Sequence, residues 1–497
     1  MTNILLITAD QWRADCLGVA GHPVVKTPNI DLLAEEGVRF ARHYAQAAPC
    51  SPARASLYTG LYQMNTRVVF NGTPLDRRHL TIAQCMRELG YEPTLFGYTD
   101  IGTDPDGLHP ADPWLRTYEG ILKGMSARVH LPEYPGPWLS WLKSRGHTIP
   151  ANWKELFLPA DDVFVYHGRP PKFSAEETQT AYLVDEFGGW LSEQRSPWFA
   201  HLSFLSPHPP FAVPEPYATM YSPDDGDDFV RPVHLTDETA KHPYLAFCRH
   251  GQPSDGRTEA DERAVRATYW GMVSEVDAQI GRVRAFLEAA GQWEDTIFVL
   301  TSDHGEQLGD HHLWGKLGFY DQSYHVPLII RAPGMGADSV GHVVTDFTES
   351  IDIMPTILDL AGAHVPGHLD GQSLKPYLTG GALPAGRDEA HFEFDFRDVV
   401  GDRHARELGL ELDAASLAVI RDNHMKYVHF AGLPPLLFDL QADPGEIFNV
   451  ADDPTYLGIR LQMAERLLSW RARHLDRRMT GLALTDDGLI NGRLKRV

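Results

Sequence analysis

Ile4-Leu5-Leu6-Ile7-Thr8, the first strand signal of this 497-residue chain, is an unbroken apolar run that stops at Asp10-Gln11. Such a run has no polar face to offer solvent, so it suits the interior of a parallel sheet covered on both sides, with polar residues delivered at the carboxyl end. The run Thr296 to Ser302 repeats the device and ends in Asp303-His304-Gly305. Further strand signals lie at Thr94 to Tyr98, Phe199 to Leu205 and Val326 to Arg331. Helical patterns cover Pro28 to Gly37, Thr81 to Leu89, and about 174–194 and 259–290. Strands alternating with helices predict an α/β fold, a doubly wound and mostly parallel sheet sandwiched by helices. Ligand sites in such sheets lie at the carboxyl ends of the strands.

Beyond about residue 375 the pattern changes to short strand signals at 391–397, 416–421 and 424–430, followed by a helix over about 453–474. The expected organisation is a catalytic α/β domain over 1–375, with long loop insertions at 101–172 and 209–257, and a smaller antiparallel α+β subdomain with a tail over 376–497. Long loops of this kind shape a pocket or a subunit contact.

Composition narrows the partners. Asp and Glu number 67 against 44 Lys and Arg, a formal net charge of -23, which argues against sequence-independent binding to nucleic acid or to an anionic membrane. An anionic substrate must therefore meet positive charge concentrated locally. No apolar stretch approaches the roughly 18 residues of a membrane span. The four cysteines, Cys16, Cys50, Cys85 and Cys248, form no C-x-x-C pair, so neither a zinc knuckle nor a disulfide framework is indicated. Together with an N-terminal apolar run too short and too soon acidic for a signal peptide, this makes a cytoplasmic location the expectation.

Asp10, Gln11, Asp303 and His304 stand at the ends of two strands of one sheet. Two carboxylates, an amide oxygen and an imidazole form an acceptable site for one divalent metal ion, and the imidazole tilts preference from calcium towards manganese or zinc. A capping aspartate or a core histidine is the ordinary explanation for either residue alone. Their shared place at strand ends is what points to a site.

Cys50-Ser51-Pro52-Ala53-Arg54 resembles the sulfatase signature C-x-P-x-R. Asp10, this pentapeptide and Asp303-His304-Gly305 follow the order and approximate spacing of the sulfatase branch of the alkaline phosphatase superfamily. Leu437-Phe438-Asp439-Leu440, Asp443-Pro444-Gly445-Glu446 and Asn449 resemble its carboxy-terminal sheet signature. Met64 to Leu75, Ser206 to Phe211 and Trp314 to Asp321 look like the phosphonate monoester hydrolases and the arylsulfatases related to them.

The resemblance implies an alkaline phosphatase-like fold. It also implies that a formylglycine-generating maturation enzyme oxidises Cys50 to formylglycine, whose hydrate attacks sulfur or phosphorus with one hydroxyl and releases the product with the other. Asp10, Gln11, the residue at Cys50, Asp303 and His304 would hold one metal ion, manganese or zinc favoured and calcium possible in principle. Arg54 would help stabilise the formylglycine alkoxide, and Asn71 and Lys316 would hydrogen-bond the transferred group. His208 and Lys316 would neutralise or protonate the leaving oxygen, and Tyr98 would orient it.

The activity so implied is hydrolysis of sulfate monoesters, aryl ones above all. Phosphonate monoesters and phosphodiesters carry the same single charge and would share a promiscuous site. Phosphonate monoester hydrolysis as the main activity is the alternative. A non-catalytic metal-dependent binding protein would lack the nucleophile or a ligand, and none is missing. Gln11 and His304 stand where many sulfatases carry Asp and Asn, as they do in the phosphonate hydrolases. Asp100, in contrast, stands where those typically carry Thr. Asp321 and His325, four residues apart, are read as a brace rather than a second metal pair. The long loops and the tail ending in Arg493-Leu494-Lys495-Arg496-Val497 favour a homodimer or homotetramer.

Overall fold

The structure, a computed structural model, describes residues 2–157, 170–195, 197–232, 242–380, 386–486 and 488–492. In chain order the strands of the main sheet and of a smaller one are β1 (Asn3–Ala9), β2 (Val38–Tyr44), β3 (Ala47–Ala48), β4 (Pro93–Gly97), β5 (Ser126–His130), β6 (Phe199–Phe204), β7 (Thr296–Thr301), β8 (Leu328–Arg331), β9 (His342–Glu349), β10 (Glu389–Asp395), β11 (Ser416–Asp422), β12 (Met425–Phe430) and β13 (Leu436–Asp439). Every residue of β1 is buried, and its side chains alternate between two cores. Leu5, Ile7 and Ala9 meet the helices Gln179–Glu193 and Glu259–Ala289 on one face. Ile4 and Leu6 meet the helices Cys50–Thr59 and Ile353–Leu360 on the other. Burial on both faces is the reason Ile4 to Ile7 carry no polar side chain, and the buried Thr8 hydroxyl is satisfied by His201 and Ser203.

The main sheet has the order β5-β4-β6-β1-β7-β8-β2-β9. Seven strands run one way and β8 opposes them, so the sheet is mostly parallel as expected. The sequence reading did not foresee β2, β5 and β9. These lie at or near the edges, where Arg39, Arg42, Arg128 and His342 face outward and break the apolar pattern.

The smaller sheet has the order β13-β12-β11-β10-β3, antiparallel except where β3 pairs in parallel with β10 through Ala47 opposite Glu393 and Ala48 opposite Phe394. The helix Leu457–His474 closes its outer face with Met463, Leu467 and Trp470. The short strand β3 thus ties the segment just before Cys50 into the C-terminal sheet. Arg493 to Val497, read above as part of a docking tail, lie outside the described residues. Among the described residues, no helix is long and apolar enough to cross a membrane.

Candidate active site

Strands β1 and β7 are hydrogen-bonded neighbours, from Asn3 opposite Thr296 to Thr8 opposite Thr301, and so deliver Asp10-Gln11 and Asp303-His304 side by side. The chain turns sharply at Gln11, which takes a left-handed conformation (φ 68°). Such a conformation costs a bulky residue on the order of 1 kcal/mol and persists where the surroundings enforce it. Here the Gln11 N–H donates to Asp303 Oδ1 (3.2 Å), its carbonyl accepts from the Tyr269 hydroxyl (2.8 Å), and the Trp12 N–H donates to Ser302 Oγ (3.0 Å). The turn leaves the Gln11 side chain between Glu306, to which Nε2 donates, and Lys316, whose Nζ donates to Oε1 (2.8 Å). Those two contacts orient the amide with its oxygen towards the site.

Cys50 begins the helix Cys50–Thr59 and is 3% exposed. Its Sγ lies 3.3 Å from His304 Nε2, 3.3 Å from Lys316 Nζ and 3.9 Å from Asp10 Oδ1. Asn71 Oδ1 accepts the Ser51 N–H (3.0 Å), satisfying one of the free amides at the helix start, so Nδ2 is the end left to donate. One turn along, fully buried Arg54 acts as a fork. Nε donates to Asp303 Oδ2 (2.8 Å), Nη2 to Asp10 Oδ2 (3.2 Å), and Nη1 to Ser203 Oγ (2.8 Å) and the Tyr98 carbonyl (3.3 Å). The guanidinium also lies 4.3 Å from the centre of the Tyr98 ring, whose hydroxyl donates to Asp10 Oδ2 (2.5 Å). Gly97 makes this approach possible. It adopts φ 116° at the end of β4, and a Cβ there would stand 2.1 Å from the Ser203 carbonyl oxygen.

Burial would push the Asp10 carboxyl up, but His208 and His304, which are protonated in the acid range where Asp10 titrates, together with Lys316 and Arg54 outweigh it and hold the group well below the ordinary carboxylate range. Burial pushes the Lys316 ammonium down, yet Cys50, Asp10 and Asp303 more than offset this, so it stays charged. Burial keeps His304 neutral in spite of Asp303. Its Nδ1–H donates to the Gly305 carbonyl (3.0 Å), which leaves the Nε2 lone pair directed inward. His208 is likewise neutral, pushed down to about 3 by burial and then by Lys316, with Nδ1–H donating to the Pro209 carbonyl (2.7 Å). The ligand atoms of Asp10, Cys50, Asp303 and His304 all lie within 4.8 Å of one another. Anionic and neutral donors directed at one point, with their outer atoms held by Arg54, Tyr98 and Gly305, fit a divalent metal ion.

Residues 2–363 match the model of the sulfatase family, and residues 309–473 match that of the C-terminal part of N-sulphoglucosamine sulphohydrolase. The chain belongs to the sulfatase family. It is 41% identical over 507 residues to the multifunctional alkaline phosphatase superfamily protein PehA of Trinickia caryophylli, with 98% of each chain covered. It is 28% identical over 479 residues to an arylsulfatase of Clostridium perfringens, with 91% of each covered. Among solved structures, the phosphonate monoester hydrolase of Agrobacterium radiobacter superposes with a TM-score of 0.94 at 51% identity, covering 99% of both chains. That of Silicibacter pomeroyi gives 0.92 at 39% identity, again with 99% of both covered. The family lies within the alkaline phosphatase superfamily, and the chain is a hydrolase acting on ester bonds.

In this member of the sulfatase family the site residues expected from the sequence, Asp10, Gln11, Cys50, Arg54, Asn71, Tyr98, His208, Asp303, His304 and Lys316, gather around one cavity or its floor. Asp321 and His325 stay apart from it. Asp321 pairs with Lys426 (2.6 Å) and accepts from Tyr44 and Arg421, while His325 Nε2 bonds the Ala41 carbonyl (2.9 Å), so the pair is a brace. Sequence reasoning missed Glu306. Fully buried, it takes Gln11 Nε2 on one oxygen and the N–H groups of Leu308 (3.1 Å) and Gly315 (2.5 Å) on the other, which fixes the loop carrying Lys316. Its place two residues after His304 was the available signal. Ser203, which holds Arg54, carries no pattern at all.

Proposed function

We propose that this chain is a formylglycine-dependent, metal-assisted hydrolase of singly charged esters, with phosphonate monoesters and phosphodiesters as principal substrates and aryl sulfates turned over in the same site. The likeness to two phosphonate monoester hydrolases over 99% of the chain supports placing phosphonate esters ahead of the sulfate monoesters expected from the sequence. The observation that carries the reading is the convergence on Cys50 of three further metal-type donors, Asp10, Asp303 and His304, and of the Lys316 ammonium, 3.3 Å from its Sγ.

In this reading Sγ stands in for one oxygen of the hydrated formylglycine. Burial and Asp10 push the Cys50 thiol well above its ordinary value, so an unmodified cysteine would be a poor nucleophile here. Oxidation would supply an aldehyde hydrate, with one hydroxyl to attack and a second to release the product by carbon–oxygen cleavage. A divalent ion held by Asp10, Gln11, Asp303, His304 and the residue at 50 would lower the pKa of the attacking hydroxyl.

The chain's own groups set the rest. Arg54 bonds one oxygen of each of Asp303 and Asp10 and so fixes both carboxylates in place. Lys316 and the Asn71 amide face the developing charge on the transferred group. His208, neutral and with its proton engaged by Pro209, presents a bare Nε2 and accepts rather than donates, so the leaving oxygen receives its positive partner from Lys316. Steady-state kinetics on a phenylphosphonate monoester, a phosphodiester and an aryl sulfate test the assignment. The expected result is turnover of all three, with the phosphonate ester leading in kcat/KM, and loss of all three in Cys50→Ala. Activity surviving in that variant, or no turnover of any ester by the oxidised, metal-loaded enzyme, would sink it.

A further inference from the structure

The cavity above Cys50, about 250 Å³ in volume, extends well beyond the space a sulfuryl or phosphonyl group fills, and its far wall has chemistry that an anion does not call for. Asp100 lines it, is 6% exposed, and is held at a left-handed backbone position (φ 51°). Among the described residues its carboxylate makes no hydrogen bond and no ion pair. A buried carboxylate without a partner is costly, and a cavity-facing one is a place where a ligand supplies the partner. Burial drives its carboxyl up to about 7; Arg54 opposes the rise, and Asp10, Glu119 and Asp303 add to it.

Beside it stand the rings of Tyr118 and Trp153 and a second carboxylate, Glu119. Glu119 has one oxygen engaged by the Glu133 N–H, and among the described residues it has no cation. The cation on this wall, Lys154, sits at the rim 3.6 Å from Glu133, both side chains more than half exposed. Two carboxylates on one cavity wall that form no ion pair among the described residues, with Tyr118 and Trp153 lining the same cavity and Lys154 already 5.9 Å from the centre of the Trp153 ring, are features that suit an organic cation.

We propose that the Asp100–Glu119 wall is a subsite for a positively charged organic group, an alkylammonium or benzylammonium carried by the ester, so that preferred substrates are zwitterionic. A single negative charge would sit at Cys50 and a positive one at Asp100. The inference rests on the ester-hydrolase reading above and names the substrate class of that site.

Two aryl esters of one phosphonate test it, bearing at the same ring position either a trimethylammoniomethyl group or the neutral neopentyl group of the same shape. The wild-type enzyme is expected to favour the cationic ester in kcat/KM by about tenfold, and Asp100→Asn to reduce that preference about fivefold or more. Glu119→Gln should reduce it less. Differences in leaving-group reactivity are common to all the enzymes and cancel in the comparison. Asparagine tolerates the left-handed backbone at position 100. Turnover of both esters with the same ratio in the wild type and both variants overturns the subsite and leaves the parent reading standing, whereas turnover of neither overturns the parent reading. Should Asp100→Asn not fold, inhibition of the wild type decides. Benzyltrimethylammonium is expected to compete at least about fivefold better than its neutral neopentyl analogue, and equal inhibition overturns the proposal.

Discussion

Arg54→Lys keeps the positive charge at the floor of the site and removes the fork that distributes it. The guanidinium serves Asp303 at 2.8 Å, Asp10 at 3.2 Å, Ser203 at 2.8 Å and the Tyr98 carbonyl at 3.3 Å, with no exposure to solvent. A single ammonium reaches one of the two carboxylates at a time, so the other loses its charge-assisted bond in a place water does not enter. The loss of one charge-assisted bond (about 1.5–3 kcal/mol) together with one or two neutral ones (about 1 kcal/mol each) destabilises the fold by roughly 3–5 kcal/mol. With an unfolding entropy near 2 cal/mol/K per residue, a chain of this length loses about 3–5 °C in Tm. Calorimetry at pH 7.5 on the metal-loaded protein reads this directly. Because Asp10 and Asp303 also lose alignment, kcat/KM on a phenylphosphonate ester should fall by about 10²–10³. A variant whose Tm stays within about 1 °C and whose kcat/KM stays within about threefold would refute the view that the fork frames the site.

Lys316→Gln removes a cation placed at both Gln11 Oε1 and Cys50 Sγ. It should lower kcat by about 10²–10³ with a smaller change in KM, and steady-state kinetics showing an effect on KM alone would assign Lys316 to ground-state binding instead. Removal of divalent ions by a chelator should abolish turnover and lower Tm, because the inner faces of Asp10 and Asp303 lose a counterion. Manganese or zinc should restore both readouts better than calcium does, and equal recovery with calcium would contradict the role given to His304.

Away from the site, burial raises the Glu275 carboxyl to about 7 even though Thr178 and Gln279 bond it. Between its ordinary value and about pH 7 the unfolded chain releases this proton while the folded one keeps it, so stability falls as pH rises through that window. Glu275→Gln should therefore be about 3 kcal/mol more stable than the wild type at pH 8 and about equal to it at pH 4. Urea titrations giving the same difference at both values would refute the assignment.

The parts of the fold that were legible in the sequence are those buried on two sides. Strands β1 and β7 announce themselves because no position on them faces water, and the polar residues that end them could be read as a site before any contact was known. Edge strands β5 and β9 carry exposed residues, Arg128, His342 and Thr345 among them, in no regular order and so lack that signal, and the two-residue strand β3 is too short for any periodicity. The site followed the same logic. Asp10, Gln11, Asp303 and His304 were readable as strand ends, and Cys50 and Arg54 as a motif. Glu306 and Ser203 were not, since their work is to grip Gln11 and Arg54 across gaps of 295 and 149 residues. Asp100 departs from a familial pattern in the sequence, but that no ion pair reaches it among the described residues is visible only once the cavity walls are assembled.

The claim on which the account depends most is that the residue encoded as Cys50 does not act as a cysteine. Mass spectrometry of the peptide spanning residues 47–60, taken from enzyme produced with its maturation system and assayed for turnover in the same preparation, tests this most directly. The account predicts that the peptide has exchanged its sulfur for oxygen and lost two hydrogens, in proportion to specific activity. A fully active preparation in which that peptide retains an intact thiol would contradict it.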